Sequence, residues 1–493
     1  MMDVVLVQPR HRTSRAPNRV TRHAPLPVGL LAVATPLDVA GYKVRIIDQW
    51  TEPNWEEILL AELKTRPICV GITAMTGAQI HWALKASEIV KKNSNVPVVW
   101  GGIHPSMLPR QTLENQYIDI IVQGEGEETF FELVNTLGNK QPLDNVKGIW
   151  YKDGGLIKQT PPRPFIDLNK QPPLSYHLID LKSHMASTYG IAALPFETSR
   201  GCPFDCSFCY NTSFNRRQWR ALDTEQTLFR IKRVVEQYGI RGFVFADDNF
   251  FTNLDRVHHI LEGIVKQKLD ILWGKGDIRL DQLANLDDEY LKLIEKSGCH
   301  SLAIGIESGS QRIADAMRKG IDVSQAISVN RRLAKYKLMV RYLFLLGIPE
   351  ETAADLAESA SLMLKLLDDN PKALNGVQIF VPYPGTELFD IAVQHGLQMP
   401  RKLEDWITYG WINRKVGYPW LSAEMKGLIR MLSFCGVFMP SDKVIKQFSA
   451  DVSPVISLIA KLYYPIARIR VKGLHYKYMP ELKIAELLGY TGL

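Results

Sequence analysis

Short apolar runs alternate with amphipathic segments twice along this chain, and that double alternation limits the folds open to it. Between Val4 and about Asn135, the runs Val4–Val7, Val44–Asp48, Cys69–Thr73, Val98–Trp100 and Ile118–Val122 read as strands, with helical stretches such as Trp55–Lys64 and Gly77–Lys92 between them. The strands are near-continuous apolar runs, as expected where helices cover both faces of a parallel sheet. The pattern predicts an α/β, doubly wound, Rossmann-like domain whose ligand site lies beyond the carboxyl ends of its strands. A second alternation runs from about Leu194 to Pro384. Its strands are expected at Pro195–Thr198, Gly242–Ala246, Ile271–Gly274, Ser301–Gly305, Val340–Leu346 and Gly376–Val381. Six strand–helix repeats are too many for a second small Rossmann unit and too few for a closed eightfold barrel. A partial (β/α)6 barrel, with its chemistry at the C-terminal strand ends, fits them.

Residues Val146 to Gln159 read as a hairpin turning at Asp153-Gly154-Gly155. Pro161, Pro162, Pro164, Pro172 and Pro173 follow, and such a proline-rich connection suits a domain boundary. The expected division is therefore a Rossmann-like domain over 1–145, a hairpin and linker over 146–190, the partial barrel over 191–400, and a mainly helical region with a basic tail over 401–493. A length of 493 residues agrees with two or three domains. Met1 to Val7 lacks a basic lead, a long apolar stretch and a cleavage site, so it reads as a first strand rather than a signal peptide. No run of about 18 apolar residues argues for a spanning helix. The expected compartment is the cytoplasm.

The chain has six cysteines, and three fall within eight residues: Cys202-Pro203-Phe204-Asp205-Cys206-Ser207-Phe208-Cys209. The motif sits in the loop after the first expected barrel strand, where active-site groups of such barrels gather. Thiolates are the usual ligands of iron–sulfur clusters, and a cubane normally takes four. Three ligands leave one metal open, as catalytic zinc sites do when they bind substrate. An open iron can chelate a molecule that offers an amine and a carboxylate together. The alternatives are a zinc site or inert buried cysteines. Zinc needs a fourth ligand, and the nearest histidines, His177 and His184, precede the motif at irregular distance. The solitary Cys69, Cys299 and Cys435 are expected to be small buried hydrophobes.

With these residues in place, the sequence resembles the radical S-adenosylmethionine superfamily, whose hallmark is this C-x-x-x-C-x-x-C loop. The resemblance implies a [4Fe-4S] cluster on Cys202, Cys206 and Cys209. It also implies that Phe208 packs on the adenine and that Asp248, in Asp247-Asp248-Asn249-Phe250, lies near the methionine moiety. By the same resemblance Arg279 holds S-adenosylmethionine, Glu307 and Ser308 reach it from a strand end, Gly347 lines the adenine, and Pro382 belongs to a later barrel loop. Taken singly, Glu307 or Asp248 reads as a solvated or capping carboxylate, Arg279 as a surface ion pair, and Gly347 and Pro349 as turn residues. Their weight comes from recurring in order at successive strand ends.

In the N-terminal domain, Thr73-Ala74-Met75-Thr76-Gly77, Gly101-Gly102-Ile103-His104-Pro105-Ser106 and Gly124-Glu125-Gly126-Glu127 follow three successive strands. Small and hydroxyl residues at adjacent strand ends let backbone approach a bulky ligand. Together these segments resemble the B12-binding (cobalamin-binding) domain that precedes many radical S-adenosylmethionine barrels, so the resemblance covers roughly residues 1–400. It implies cobalamin contacts at Thr73, Met75, Thr76, Gly101, Gly102, His104, Gly124 and Glu125. One departure matters: no Asp-x-His occurs in this domain, although the classical fold ligates cobalt through that histidine. His104 is expected to touch the corrin or cap its turn. Cobalt then has a vacant or water-filled lower face, or cobalamin binding has been lost.

The formal net charge is +7, with basic residues concentrated in Arg10 to Arg22, Arg216 to Arg220 and the last forty residues. Anionic cofactors and phosphate-bearing substrates account for this charge. No RNA-binding module is recognisable, and no nucleic-acid partner is expected. Between Asp451 and Glu481 no acidic residue occurs, while Lys461, Arg468, Arg470, Lys472 and Lys477 do, interleaved with Ile456, Leu458, Ile459, Leu462, Tyr463 and Tyr464. Residues 452–478 read either as an interfacial segment meeting anionic lipid at the inner membrane face, or as a helical cap over the barrel mouth. Pro454 and Pro465 are expected to shorten any helix there, which favours the cap.

For activity, the resemblance implies that a reduced cluster cleaves S-adenosylmethionine to a 5′-deoxyadenosyl radical. That radical takes hydrogen from a small-molecule or lipid-like substrate, and methylcobalamin then methylates the carbon. The electron donor is expected to be a flavodoxin or ferredoxin. Radical oxidative cyclisation, or lipid or tetrapyrrole modification without methyl transfer, remains open, as does a non-catalytic cobalamin-binding protein.

Overall fold

The computed structural model describes residues 3–11, 24–188, 191–410, 417–440 and 454–487. They divide into two units. The first takes residues 1–185, 383–385 and 398–416, and the second takes residues 186–382, 386–397 and 417–493.

In the first unit, β1 (Val4–Gln8), β2 (Val44–Asp48), β3 (Cys69–Thr73), β4 (Val98–Gly101) and β5 (Ile120–Val122) form the parallel part of a seven-stranded sheet. Leu6 of β1 stands beside Ile46 of β2 on one side and Gly71 of β3 on the other. The strand order is β2-β1-β3-β4-β5, which reverses between β1 and β3 and opens a crevice at the carboxyl edge there. Helices cover the strands, so Val4, Val5, Val7, Ile47, Val70 and Val98 are wholly buried. All five expected strands form, within two residues of their expected ends.

Three segments assigned elsewhere from sequence belong to this unit. The hairpin forms as β6 (Ile149–Asp153) and β7 (Leu156–Gln159), with Gly154 and Gly155 at φ +56° and +85°. Positive φ at both turn residues matches the twist of the two strands. However, β6 pairs antiparallel with β5, Ile121 opposite Trp150, so the hairpin extends the sheet rather than bridging domains. The proline-rich stretch after it also docks. Ser175 N–H donates to Thr35 Oγ1 at 3.0 Å, its hydroxyl donates to Asp38 Oδ2 at 2.6 Å, and His184 is buried 3.7 Å from Asp48. Prolines signal a stiff chain, but side-chain hydrogen bonds decide whether it lies free or docked. Likewise, Leu403–Thr408, assigned from sequence to a C-terminal region, forms a 3-10 turn within the first unit. Its Trp406 is wholly buried and donates Nε1–H to Gln111 Oε1 at 2.6 Å.

The second unit begins with β8 (Ala186–Thr188) and β9 (Ile191–Phe196), followed by a short ribbon of β10 (Ser199–Arg200) and β11 (Arg220–Ala221) that flanks the cysteine loop. β12 (Gly242–Phe245) pairs parallel with β9 and with β13 (Leu272–Gly274). β14 (Gly276–Arg279), β15 (Ser301–Glu307), β16 (Met339–Leu346) and β17 (Ala373–Ile379) make a second parallel sheet. The third expected strand forms as β13, and past Lys275, whose φ is +54°, the chain continues into β14, which was not expected; a bridge joins Trp273 to Cys299. With β13 and β14 counted as one position, an open sixfold parallel arrangement results. An aromatic core fills it: Phe245 stacks on Phe250 with centroids 4.3 Å apart, and both lie against Trp273.

Helices Ala423–Phe438, Pro454–Gly473 and Pro480–Leu487 complete the unit. Contrary to the expectation from its prolines, the second of these runs unbroken through Pro465. Pro454 opens the helix where its missing N–H has no cost. Tyr463 packs between Phe434 and Phe438, at 5.5 and 5.1 Å, and Ala460, Ala467 and Val471 are buried beside it. Burying that stripe offsets the roughly 3 kcal/mol that an interior proline costs. Cys69, Cys299 and Cys435 are buried and free, as expected.

Trp406→Ala removes a buried indole and leaves Gln111 without its donor. It is expected to destabilise the first unit by about 3–5 kcal/mol. Calorimetric melting checks this, with the exposed Val39→Ala as an unaffected control.

Candidate active site

The cysteine loop is clamped at both ends by one carboxylate. Asp248, just beyond β12, accepts from Gly201 N–H through Oδ2 at 2.8 Å and from the Tyr210 hydroxyl through Oδ1 at 2.7 Å. Gly201 precedes the first cysteine and Tyr210 follows the last. Asp247 is buried and accepts from Thr198 N–H at 2.7 Å, Thr198 Oγ1 at 2.5 Å and Ser199 Oγ at 2.6 Å, which fixes the chain entering the loop. In mid-loop, Ser207 N–H donates to Met317 O at 3.0 Å, while Ser207 O accepts from Leu388 N–H at 3.0 Å. The resemblance placed Asp248 near the methionine moiety, but both its oxygens serve the loop.

Cys206 is buried and Cys202 and Cys209 are half-buried, none of them in a disulfide. Burial raises all three thiols, Cys209 to about 11, while Asn211 Nδ2 donates to Cys209 Sγ at 3.6 Å. Lys319 and Arg279 counter that rise at Cys206. Lys319 Nζ forms a buried ion pair with Glu307 Oε1 at 2.8 Å and lies 5.9 Å over the Phe208 ring. Burial disfavours the Lys319 ammonium, yet Glu307 and Cys206 outweigh it and its pKa is raised. A Cβ on Gly305 would lie 2.7 Å from Lys319 Nζ and collide with Glu307 Oε1, so the glycine makes room for this pair. Arg279 stacks over Phe204 at 3.8 Å and donates to Asp281 Oδ1 at 3.0 Å, Lys319 O at 2.5 Å and Gly320 O at 3.1 Å. Most of its guanidinium fork is therefore spent within the protein.

Ser308 is wholly buried; its hydroxyl accepts from Ser310 N–H at 3.1 Å and lies 3.3 Å from Ser359 Oγ. Gly347 donates N–H to Glu351 Oε2 at 2.6 Å and accepts from Trp420 Nε1 at 2.9 Å. Pro382 is buried. Both Ser308 and Gly347 thus shape the strand ends with their polar groups already engaged. Sequence reasoning missed Lys319 and Tyr210. Adjacency to Cys209 was a signal for Tyr210, whereas Lys319 follows a short helix and belongs to no motif.

Three uncrosslinked thiols with two cations beside them suit a [4Fe-4S] cluster. Among the described residues no three His, Cys, Asp or Glu side chains gather around one point as ligands of a single ion do. A cubane takes each thiolate at a different iron, so its ligands stand further apart.

The first unit's strand edge differs in character. Gly102, at φ +101°, follows β4; a Cβ there would lie 2.9 Å from both Ala74 O and Thr73 Oγ1, so only glycine allows the loops after β3 and β4 to touch. Nothing lies within 4 Å of a Cβ at Gly124, and the nearest atom to one at Gly101 is 3.9 Å away. Met75 exposes nearly half of its surface although it is apolar. His104 is wholly buried, its Nδ1 2.9 Å from Thr76 Oγ1, its ring edge-on to Trp406 and its Nε2 without a partner. Burial pushes His104 down to about 3, so the imidazole is neutral. Glu125 Oε2 accepts from Ile166 N–H at 2.9 Å. Open space over bare backbone and an exposed apolar side chain suit a corrin, whereas His104 is enclosed beneath that surface.

Comparison with known proteins agrees with both assignments. The Radical SAM superfamily model matches residues 196–363, and the B12 binding domain model matches residues 18–134. An uncharacterized methyltransferase of Pyrococcus horikoshii is 32% identical over 412 residues, covering 83% of this chain and 87% of that protein. The chain belongs to the cobalamin-binding radical S-adenosylmethionine enzymes. Its cofactors are accordingly a [4Fe-4S] cluster, S-adenosylmethionine and cobalamin. The anaerobic magnesium-protoporphyrin IX monomethyl ester cyclase of Rubrivivax gelatinosus is 28% identical, over 79% of this chain and 69% of that one. The radical S-adenosylmethionine methyltransferase TsrM of Kitasatospora setae, solved with cobalamin and a [4Fe-4S] cluster, superimposes with a TM-score of 0.67 at 17% identity. That match covers 83% of this chain and 82% of TsrM, and it shows a shared fold.

In this enzyme Asp248→Asn keeps an acceptor for Tyr210 but leaves Gly201 N–H unpaired. After anaerobic reconstitution its iron content is expected to fall several-fold, and that of Tyr210→Phe by less, as iron and sulfide assays would measure. Burial pushes Glu351 up to about 8, and its Oε1 has no partner. The group binds its proton more tightly folded than unfolded, so its stabilising effect is present at low pH and fades as pH rises through about 8. Glu351→Gln retains the Gly347 bond and lacks this dependence. Its melting midpoint is expected to gain on the wild type as pH rises from about 6 to about 9.

Proposed function

We propose that the enzyme transfers a methyl group to a carbon of a small or lipid-like biosynthetic substrate. One observation carries the reading: a braced trio of thiols and an open, glycine-lined strand edge occur in a single chain that is 32% identical to a protein described as a methyltransferase. When bound, the cluster and S-adenosylmethionine supply a 5′-deoxyadenosyl radical, and methylcobalamin supplies the methyl group.

Cys202, Cys206 and Cys209 hold the cluster, and Asp248 keeps their loop in place. Lys319 and Arg279 balance the thiolate charge, and Glu307 orients Lys319. Phe208, Asp248, Arg279, Glu307, Ser308, Gly347 and Pro382 surround S-adenosylmethionine. Phe208 offers its ring to the adenine, and the engaged polar groups of Ser308 and Gly347 contribute shape. Thr73, Met75, Thr76, Gly101, Gly102, His104, Gly124 and Glu125 seat the corrin, with Met75 giving apolar surface and the glycines giving room. A flavodoxin or ferredoxin provides the electron.

Ring formation without methyl transfer is the second reading, favoured by the similarity to the ester cyclase. Anaerobic incubation with S-adenosylmethionine, a low-potential reductant, cobalamin and a metabolite extract separates the two. Methyl transfer yields 5′-deoxyadenosine together with S-adenosylhomocysteine, and a methyl-sized mass gain in one metabolite. Cyclisation yields 5′-deoxyadenosine without S-adenosylhomocysteine. Cys206→Ala is expected to abolish 5′-deoxyadenosine in either case.

A further inference from the structure

The helix Pro454–Gly473 has two apolar faces, and among the described residues only one of them is covered. Ala460, Tyr463, Ala467 and Val471 are buried. Leu458, Ile459, Leu462, Ile466 and Ile469 point away from the protein and are 46–68% exposed. At about 100° per residue, these five side chains fall within a sector of about 100°. Lys461 and Lys472 border the sector on one side, and Arg470 borders it on the other. Beyond the helix, a cleft of about 340 Å³ is lined by Arg470, Leu474, His475, Tyr476, Lys477 and Tyr478. Tyr476 seats its ring against Gly427, where any Cβ would collide with it, so the loop is anchored while Lys477 and Tyr478 stay exposed.

We infer that this helix and loop dock the enzyme onto an anionic lipid bilayer. An exposed apolar stripe flanked by lysine and arginine suits the boundary between acyl chains and headgroups, where aromatic rings with a polar tip also settle. Charge selects this occupant. No acidic residue occurs from 452 to 480, and among the described residues Glu481 and Asp368 pair with Arg470 and Arg468. A second copy of the same face would add a second lysine-bordered edge and no carboxylate to complement it, whereas acidic headgroups complement the edge of Lys461 and Lys472. The cleft, with Arg470, His475 and Lys477 in its wall, has the chemistry for a headgroup phosphate. The helix lies on the surface rather than spanning, because no helix among the described residues is long and apolar enough to cross a membrane.

Flotation of the full-length protein with vesicles tests the inference. The wild type is expected to float with phosphatidylcholine vesicles that contain phosphatidylglycerol, to float poorly with pure phosphatidylcholine, and to be released by high salt. Leu462→Glu with Ile466→Glu is expected to weaken partition by about tenfold or more on the anionic vesicles. Lys472→Glu with Lys477→Glu is expected to remove the preference for anionic lipid. An unchanged melting midpoint shows that each variant folds. The inference is overturned if the wild type stays unbound at low salt, or if the folded apolar variant floats as well as the wild type. It is equally overturned if the wild type ignores vesicles but sediments as a dimer that Leu462→Glu with Ile466→Glu dissociates.

Discussion

A loop that carries three thiols through a buried region, with no regular structure of its own, has to be held from outside. Thiolates repel one another, and a low-dielectric surrounding magnifies that repulsion. The second unit meets both demands with polar groups from separate strand ends. Asp248 beyond β12 ties the loop's two ends together, and Asp247 ties the incoming chain through Thr198 and Ser199. Lys319, oriented by Glu307 at the end of β15, brings positive charge beside Cys206. Arg279 from β14 stacks beneath the loop on Phe204. Because these groups sit on different strands, the loop geometry is only as good as the alignment of the whole barrel.

The first unit is built to a different requirement. Its strand edge needs space more than charge, and it obtains space from bare backbone at Gly101, Gly102 and Gly124. The crevice follows from the reversal of strand order between β1 and β3. The turn Leu403–Thr408 then packs beside that edge, with Trp406 against His104 and bonded to Gln111. His104 is thereby wholly enclosed and kept neutral.

Much of this was legible in residue order. Apolar runs at successive intervals foretold β1 to β5 and most of the barrel, since a strand buried on both faces needs few polar residues. The cysteine spacing is local, so the ligand set could be read without knowing the fold. The role of Asp248 could not. A carboxylate after a strand is an acceptor in search of donors, and its donors, Gly201 and Tyr210, lie 47 and 38 residues away. Arg279 looked free to grip a ligand until its bonds to Asp281, Lys319 and Gly320 were visible. Lys319 had no motif because its significance is its distance from Glu307 and Cys206.

Proline content misled at one place and was incomplete at another. It suggested a shortened helix where Tyr463 and its neighbours hold Pro454–Gly473 together, and the proline-rich connection, though it ends at a boundary between units, is docked through Ser175 on Thr35 and Asp38. By itself the sequence determined the strand periodicity, the thiol trio and the small residues at the strand ends, because these depend on neighbours a few positions apart. Tertiary structure alone decided which carboxylate braces the loop, which cation balances it, that β14 follows β13 as a separate strand, and which segments return to the first unit. Those are long-range pairings, and local propensity has no means of expressing which of many equivalent donors and acceptors will meet.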